Sequence, residues 1–103
     1  MKSEKSRIVV LGSTGSIGVN TLDVIERHPD RFEVFALTAY TSVDAMLAQC
    51  ARHQPAFAVM ASEEHGLQLE TQCRDAGLLT RVLWGAQAIE MVAGHEQADV
   101  VMA

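Results

Sequence analysis

Apolar residues along the chain fall into two alternating patterns. Short, nearly continuous apolar runs rich in Val, Ile and Phe occupy 7–11, 32–39, 56–61, 81–84 and 99–103. Their length and β-branched content predict five strands, and the lack of apolar/polar alternation predicts strands covered on both faces. Between them the period changes. Val43, Met46, Leu47, Cys50 and Ala51 recur at i, i+3, i+4, i+7 and i+8, which sets them on one face of a helix. Ala88, Ile89, Val92 and Ala93 repeat part of that pattern, and Leu69, Cys73 and Ala76 give a thinner stripe. Ile17, Thr21, Leu22 and Ile25 predict the buried face of a first helix. Strand and helix in strict alternation predict βαβ units: an α/β fold with a doubly wound, mainly parallel sheet, Rossmann-like, with five strands and helices on both faces. The order expected for such a sheet is 3-2-1-4-5, with a ligand at the carboxyl ends of the strands near the point where the order reverses.

Helix ends are marked by their chemistry. Ser62 can cap the amides of the third helix, and Glu63 and Glu64 suit its positive end. The stretches "ERHPDRFEVFAL" and "ARHQPAFAVMA" both place Arg-His ahead of a proline and an apolar run. Pro29 and Pro55 cannot continue a helix, and Arg27 and Arg52 complement its negative end, so His28 and His53 are read as helix-end residues rather than ligands.

The turn after the first strand carries the candidate chemistry. "RIVVLGSTGSIGVNTLDVIERH" sets Gly12, Gly15 and Gly18 at steps of three between a strand and a helix, a GxxGxxG pattern in the context a dinucleotide loop requires. Amides at a helix N-terminus have no intrahelical partner and sit at the positive end of the macrodipole, so they form an anion site out of backbone. Gly12 permits the tight turn, Gly15 removes a Cβ where a diphosphate must approach, and Gly18 lets the helix pack closely. Ser13, Thr14 and Ser16 are short hydroxyl residues able to donate to phosphate oxygens. A P-loop is excluded because no GK[ST] follows.

The end of the second strand bears on which dinucleotide fits. An acid about 20 residues after the glycines would bind a ribose 2′-OH. "ALTAYTSVDA" has none between Thr38 and Ser42, and Thr41 and Ser42 can instead donate to a 2′-phosphate, which favours NADP(H). Ser42 also stands where a helix N-cap belongs, and the two roles can coexist.

Composition narrows the alternatives. The chain has 103 residues, 49% hydrophobic and 20% charged, enough for one globular module with an aliphatic core. Its net charge of −5 disfavours nucleic acid and acidic membrane surfaces. Lys2, Lys5 and Arg7 are the only concentrated cations, and the apolar run after them is far too short for a signal peptide or a span, which points to a cytoplasmic protein. Cys50 and Cys73, without a CxxC, read as reduced and buried. Asp23, Glu26, Glu63, Glu64, Glu70 and Asp75 fall on outward helix faces, and His65 and His95 lack spaced partners. No catalytic constellation and no metal-ligand set is therefore assigned. "ADVVMA" reads as a buried strand with nothing after it, so the 103 residues are expected to be the front part of a longer polypeptide.

The run "LGSTGSIGVNTLDVIERHPDRFEVFAL", with "LAQCARHQPAFAVM" and the final "VVMA", resembles the N-terminal segment of the 1-deoxy-D-xylulose 5-phosphate reductoisomerase family across essentially the whole chain. The resemblance implies that residues 1–103 are an NADPH-binding Rossmann-like domain at the front of a homodimeric enzyme of the non-mevalonate isoprenoid pathway. The family's cofactor-loop residues map onto Thr14, Gly15, Ser16 and Ile17. Where many members carry Gly-Lys/Arg-Asn for the 2′-phosphate, this chain has Tyr40-Thr41-Ser42. Full-length members convert the sugar phosphate 1-deoxy-D-xylulose 5-phosphate to 2-C-methyl-D-erythritol 4-phosphate with Mg2+ or Mn2+, using residues later than Ala103, so the 103 residues alone are expected to be inactive. Two other readings share the loop: another NADP-dependent reductase, and a stand-alone dinucleotide-binding sensor.

Overall fold

The computed structural model describes residues 5–103; Lys2 of the basic N-terminal cluster lies outside the described residues. Nine elements alternate: β1 (Ser6–Val10), α1 (Ser16–Arg27), β2 (Phe32–Ala39), α2 (Val43–His53), β3 (Phe57–Met60), α3 (Glu63–Asp75), β4 (Arg81–Trp84), α4 (Ala86–Ala93) and β5 (Val100–Met102). All four strand pairings are parallel. The predicted strands at 32–39 and 81–84 are reproduced as β2 and β4, that at 7–11 is shifted by one residue to 6–10, and those at 56–61 and 99–103 each lose one residue at both ends.

The sheet order is β4-β3-β2-β1-β5, not the expected 3-2-1-4-5. The cause lies in which face each helix covers. Leu22 and Ile25 of α1, Met46 and Cys50 of α2, and Leu69 and Cys73 of α3 share one core with Ile8, Val10 and Met60. Three right-handed crossovers on one face must add strands in one direction, so β2, β3 and β4 follow outward from β1. Only α4, through Val92 and Ile89, packs on the opposite face with Val9, Phe35 and Val59. That crossover returns the chain to the far side of β1. The reversal therefore falls between β1 and β5, and the glycine turn leaves the carboxyl end of β1 at that point.

One irregularity serves the second face. Between Ile8↔Val34 and Val9↔Ala36 the β1–β2 register skips Phe35. This bulge turns both Phe35 and Ala36 toward the α4 side, where Phe35 meets Phe57 and His95 at centroid distances of 5.6 and 4.9 Å. His95 is thus a packing residue under α4.

Helix ends follow the expected chemistry. Ser62 Oγ accepts from the His65 amide at 3.4 Å, and Glu63 and Glu64 open α3. His28 caps the C-terminus of α1 and His53 closes α2, whose chain reverses through Gln54 at φ 49° before Pro55. Three face assignments change. Ala51 and Ala76 are exposed, and on α3 Gly66 is buried, so close to β4 that a Cβ there would meet Trp84 Cε3 at 2.5 Å. Glu70 is half-buried rather than outward.

Candidate dinucleotide site

The β1–α1 turn is built from backbone. Gly12 has φ +68°, a left-handed conformation that glycine adopts without a Cβ penalty. The Gly12 amide then donates to Thr38 Oγ1 at 3.0 Å, and the Ser13 amide donates to the Thr38 carbonyl at 2.8 Å. Gly15 donates to the Gly12 carbonyl at 3.1 Å and stands as N-cap of α1 in extended backbone, φ −81° and ψ 173°. Beneath the turn, Gln49 Nε2 of α2 donates to the Ser13 carbonyl at 2.9 Å.

These bonds determine which amides remain free. Among the described residues no acceptor meets the amides of Thr14, Ser16, Ile17 or Gly18, and the first helical bond from this end runs from Val19 to the Gly15 carbonyl at 2.8 Å. A run of unpaired N–H groups at the start of a twelve-residue helix is a site for anionic oxygen.

The glycines differ in what surrounds them. A Cβ at Gly18 would lie 2.3 Å from the Gly12 carbonyl oxygen and 2.6 Å from Ser13 Cα, so α1 seats directly on the turn rather than on the strand. A Cβ at Gly15 would meet only the Gly12 oxygen, at an ordinary 3.5 Å. No atom of the described residues therefore demands glycine at position 15. The space there is open for a ligand.

The neighbouring side chains sort differently from their sequence reading. Ser13 is fully buried with its hydroxyl against Met46 Sδ at 3.9 Å, so it supports the turn from below and cannot donate to a ligand. Ile17 is 68% exposed at the first turn of α1 instead of opening its buried face, which begins at Gly18 and continues through Leu22 and Ile25. Thr14 is half-buried and Ser16 exposed. Across the mouth, Tyr40 at the end of β2 is exposed, as are Thr41 and Ser42. Ser42 occupies the N-cap position of α2 but makes no side-chain capping bond, leaving its hydroxyl unused by the helix. Thr14, Gly15, Ser16 and Ile17 thus lie together on the turn, and Thr41 and Ser42 follow β2, the strand beside it.

Sequence reasoning missed Thr38 and Gln49. The signal for Thr38 was a hydroxyl residue in the apolar run that follows Glu33 in β2; for Gln49, a polar residue one position before buried Cys50 gave none.

Charge is segregated along the strand axis. Lys5 and Arg7 lie at the start of β1, Arg31 before β2 and Arg81 at the start of β4; Arg27, Arg52 and Arg74 lie in the last turns of the antiparallel helices. No Lys or Arg among the described residues stands at the carboxyl ends of the strands, where Asp44, Glu63 and Glu64 open α2 and α3. At the basic end Arg52 holds the Glu26 carboxyl below its usual range by hydrogen bond and charge. His53 is held below the ordinary imidazole value mainly by burial. In the core, burial pushes the Cys50 thiol up to about 12, with the neighbouring Cys73 adding to it. Among the described residues no three His, Cys, Asp or Glu side chains cluster in a way that could hold a metal ion. No helix among them is long and apolar enough to cross a membrane.

Residues 8–103 match the family model described as 1-deoxy-D-xylulose 5-phosphate reductoisomerase. The chain belongs to that family. The reductoisomerase of Pseudomonas putida is 52% identical to it over 101 residues, which are 98% of this chain and 25% of the relative. That of Nitrosospira multiformis is 53% identical over 96 residues, 93% of this chain and 24% of the relative. The chain therefore spans about a quarter of the length of the curated relatives it matches. Among solved structures, the reductoisomerase of Zymomonas mobilis in complex with NADPH superposes with a TM-score of 0.89 at 37% identity, over 97% of this chain and 26% of that one. A DOX-P reductoisomerase in complex with NADPH, fosmidomycin and magnesium gives 0.89 at 35% identity, over 93% and 23%. The Rossmann-like α/β architecture is common to them.

Proposed function

We propose that residues 1–103 form the NADPH-binding domain of a 1-deoxy-D-xylulose 5-phosphate reductoisomerase. The observation that carries the reading is the set of unpaired amides of Thr14, Ser16 and Ile17 around an open Gly15, at the reversal point of the sheet. These amides and the Thr14 and Ser16 hydroxyls would hold the diphosphate, with the half-charge of the α1 macrodipole behind them. Thr41 and Ser42 would donate to the adenosine 2′-phosphate, without a cation to assist. Ile17, exposed at the mouth, would cover the cofactor with an apolar surface. When bound, NADPH supplies the hydride that reduces the carbonyl formed by rearrangement of the sugar phosphate.

The described residues do not fit a divalent metal. In this reading Mg2+ or Mn2+, the sugar phosphate and the proton-transfer groups are held outside residues 5–103, and residues 1–103 alone reduce nothing. The whole enzyme is taken as a homodimer, as the family resemblance implies, and as cytoplasmic. Titration of the purified protein with NADPH, followed by the fluorescence of the dihydronicotinamide, tests the site: saturable binding, tighter than for NADH, is expected. A protein that leaves NADPH fluorescence and mobility unchanged at millimolar concentration would refute it.

A further inference from the structure

We infer that Gln49 is a positioning residue for the dinucleotide loop: it fixes the Ser13–Thr14 peptide so that the Thr14 amide faces the ligand. The inference rests on the dinucleotide reading of the site and adds a residue to it. A trans peptide is planar, and its C=O and N–H point in opposite directions. The Ser13 carbonyl is held by Gln49 Nε2 at 2.9 Å from the α2 side. The Thr14 N–H belongs to the same peptide and is thereby turned away from α2, and no acceptor among the described residues takes it. The preceding peptides are fixed independently, since Thr38 accepts from Gly12 and Ser13. Without Gln49, the Ser13–Thr14 unit is the one peptide of the turn free to rotate.

The orientation of the Gln49 amide follows from the same chemistry. A carbonyl can only accept, so the NH2 group must face Ser13 O, which leaves Oε1 buried with no partner among the described residues. A buried acceptor left unpaired is a cost that packing alone does not explain, because an apolar residue of similar size would avoid it. Holding one loop peptide in one orientation does explain it.

The test compares wild type with Gln49→Met, which keeps the length and removes the donor, and Gln49→Glu, which keeps the shape and replaces the donor with an acceptor. In the intact protein, affinities for NADPH and NADH are measured by fluorescence, and melting temperatures are taken without cofactor. Both variants should lose roughly tenfold in affinity, the worth of about one oriented hydrogen bond to a charged group. The loss should be equal for NADPH and NADH, because the diphosphate is common to both. A purely structural role would lower the melting temperature and leave the affinity of the folded protein intact. The Thr14 amide resonance in threonine-labelled protein should shift on NADPH addition in wild type and shift less in both variants. Wild-type affinity in both variants overturns the role of Gln49 while leaving the loop assignment standing. Failure of wild type itself to bind either cofactor overturns the reading on which it rests.

Discussion

Gly15 and Gly18 stand three residues apart in one motif, yet the structure gives them opposite vulnerabilities. Gly18→Ala would place a Cβ 2.3 Å from the Gly12 oxygen and 2.8 Å from the Ser13 carbonyl carbon. Both are backbone atoms that cannot rotate away, so α1 or the turn must move by about 1 Å to reach ordinary contact. Overpacking of this kind costs roughly 1–3 kcal/mol. Because several backbone atoms are met at once, the cost falls in the upper part of that range, about 2–3 kcal/mol; the gain in helix propensity returns about 1 kcal/mol, leaving a net loss of about 1–2 kcal/mol. At about 4–8 °C per kcal/mol for a domain near this size, the melting temperature should fall by roughly 5–15 °C. Gly15→Val starts from extended backbone that any residue adopts and meets only an oxygen at 3.5 Å. The poorer N-cap and the reduced entropy of the unfolded chain nearly cancel, so stability should change by less than about 1 kcal/mol. The isopropyl group instead fills the space assigned to phosphate, and NADPH affinity should drop about a hundredfold or more, for displacement of a diphosphate from several amides. The assay pairs thermal denaturation without cofactor with NADPH fluorescence titration. If Gly15→Val melted as early as Gly18→Ala, or bound NADPH like wild type, the division of labour within the motif would be wrong.

Ser42→Asp should narrow or reverse the preference for NADPH over NADH, because a carboxylate at the unused N-cap hydroxyl repels a 2′-phosphate; paired titrations that keep the full wild-type ratio would show the phosphate lies elsewhere. His53 has its folded pKa depressed, chiefly by burial, so the unfolded chain binds the proton first. Its contribution to stability is present above the ordinary imidazole value near 6.5 and is lost as pH falls toward the depressed folded value. Chemical denaturation between pH 7.5 and 5 should show this loss, and His53→Gln should flatten it; an unchanged pH slope in the variant counts against the assignment. Cys50, pushed up to about 12, and Cys73, also raised, should resist alkylation in the native state at pH 8 and react only on unfolding. Rapid labelling of both thiols in native protein would contradict their burial in the α2–α3 core.

The parts of this fold legible in the sequence are those set by local pattern. The run 32–39 is β2 because eight consecutive residues, mostly apolar, admit no helical face, and α2 follows from a five-residue stripe of period 3.6. Strand order was not legible. It depends on which face each helix covers, and the stripes of α3 and α4 look alike in sequence although one packs with Cys50 and the other with Phe35. The glycine spacing marked the candidate site, but not the direction of its side chains. Ser13 and Ser16 read as equivalent hydroxyls; a buried thioether and a solvent-facing helix start separate them. Ile17 read as core because it is apolar and in phase with Thr21. Gly18, lying almost on the Gly12 backbone, brings the helix start so close to the turn that the residue before it is left facing outward.

Under the proposed dinucleotide reading, a chain of net charge −5 receives a polyanion. The Lys and Arg residues among the described residues are gathered at the opposite end of the sheet, where Arg27, Arg52 and Arg74 stand in the last turns of the helices and Arg27 and Arg52 pair with Asp23 and Glu26. At the mouth, attraction must come from dipoles: unpaired amides and hydroxyls whose field is strong within a few ångströms and weak beyond. Such a site depends on orientation in a way that a lysine does not, since an ammonium attracts from any angle and an amide only along its N–H bond. Geometry must then be enforced from below. Thr38 fixes two amides, Gln49 a third peptide, Met46 backs Ser13, and Gly18 lets α1 close against the turn. In the proposed reading, the buried polar groups beneath the loop and the absence of Lys and Arg above it among the described residues are two sides of one arrangement, in which precise placement of neutral donors would do the work of charge.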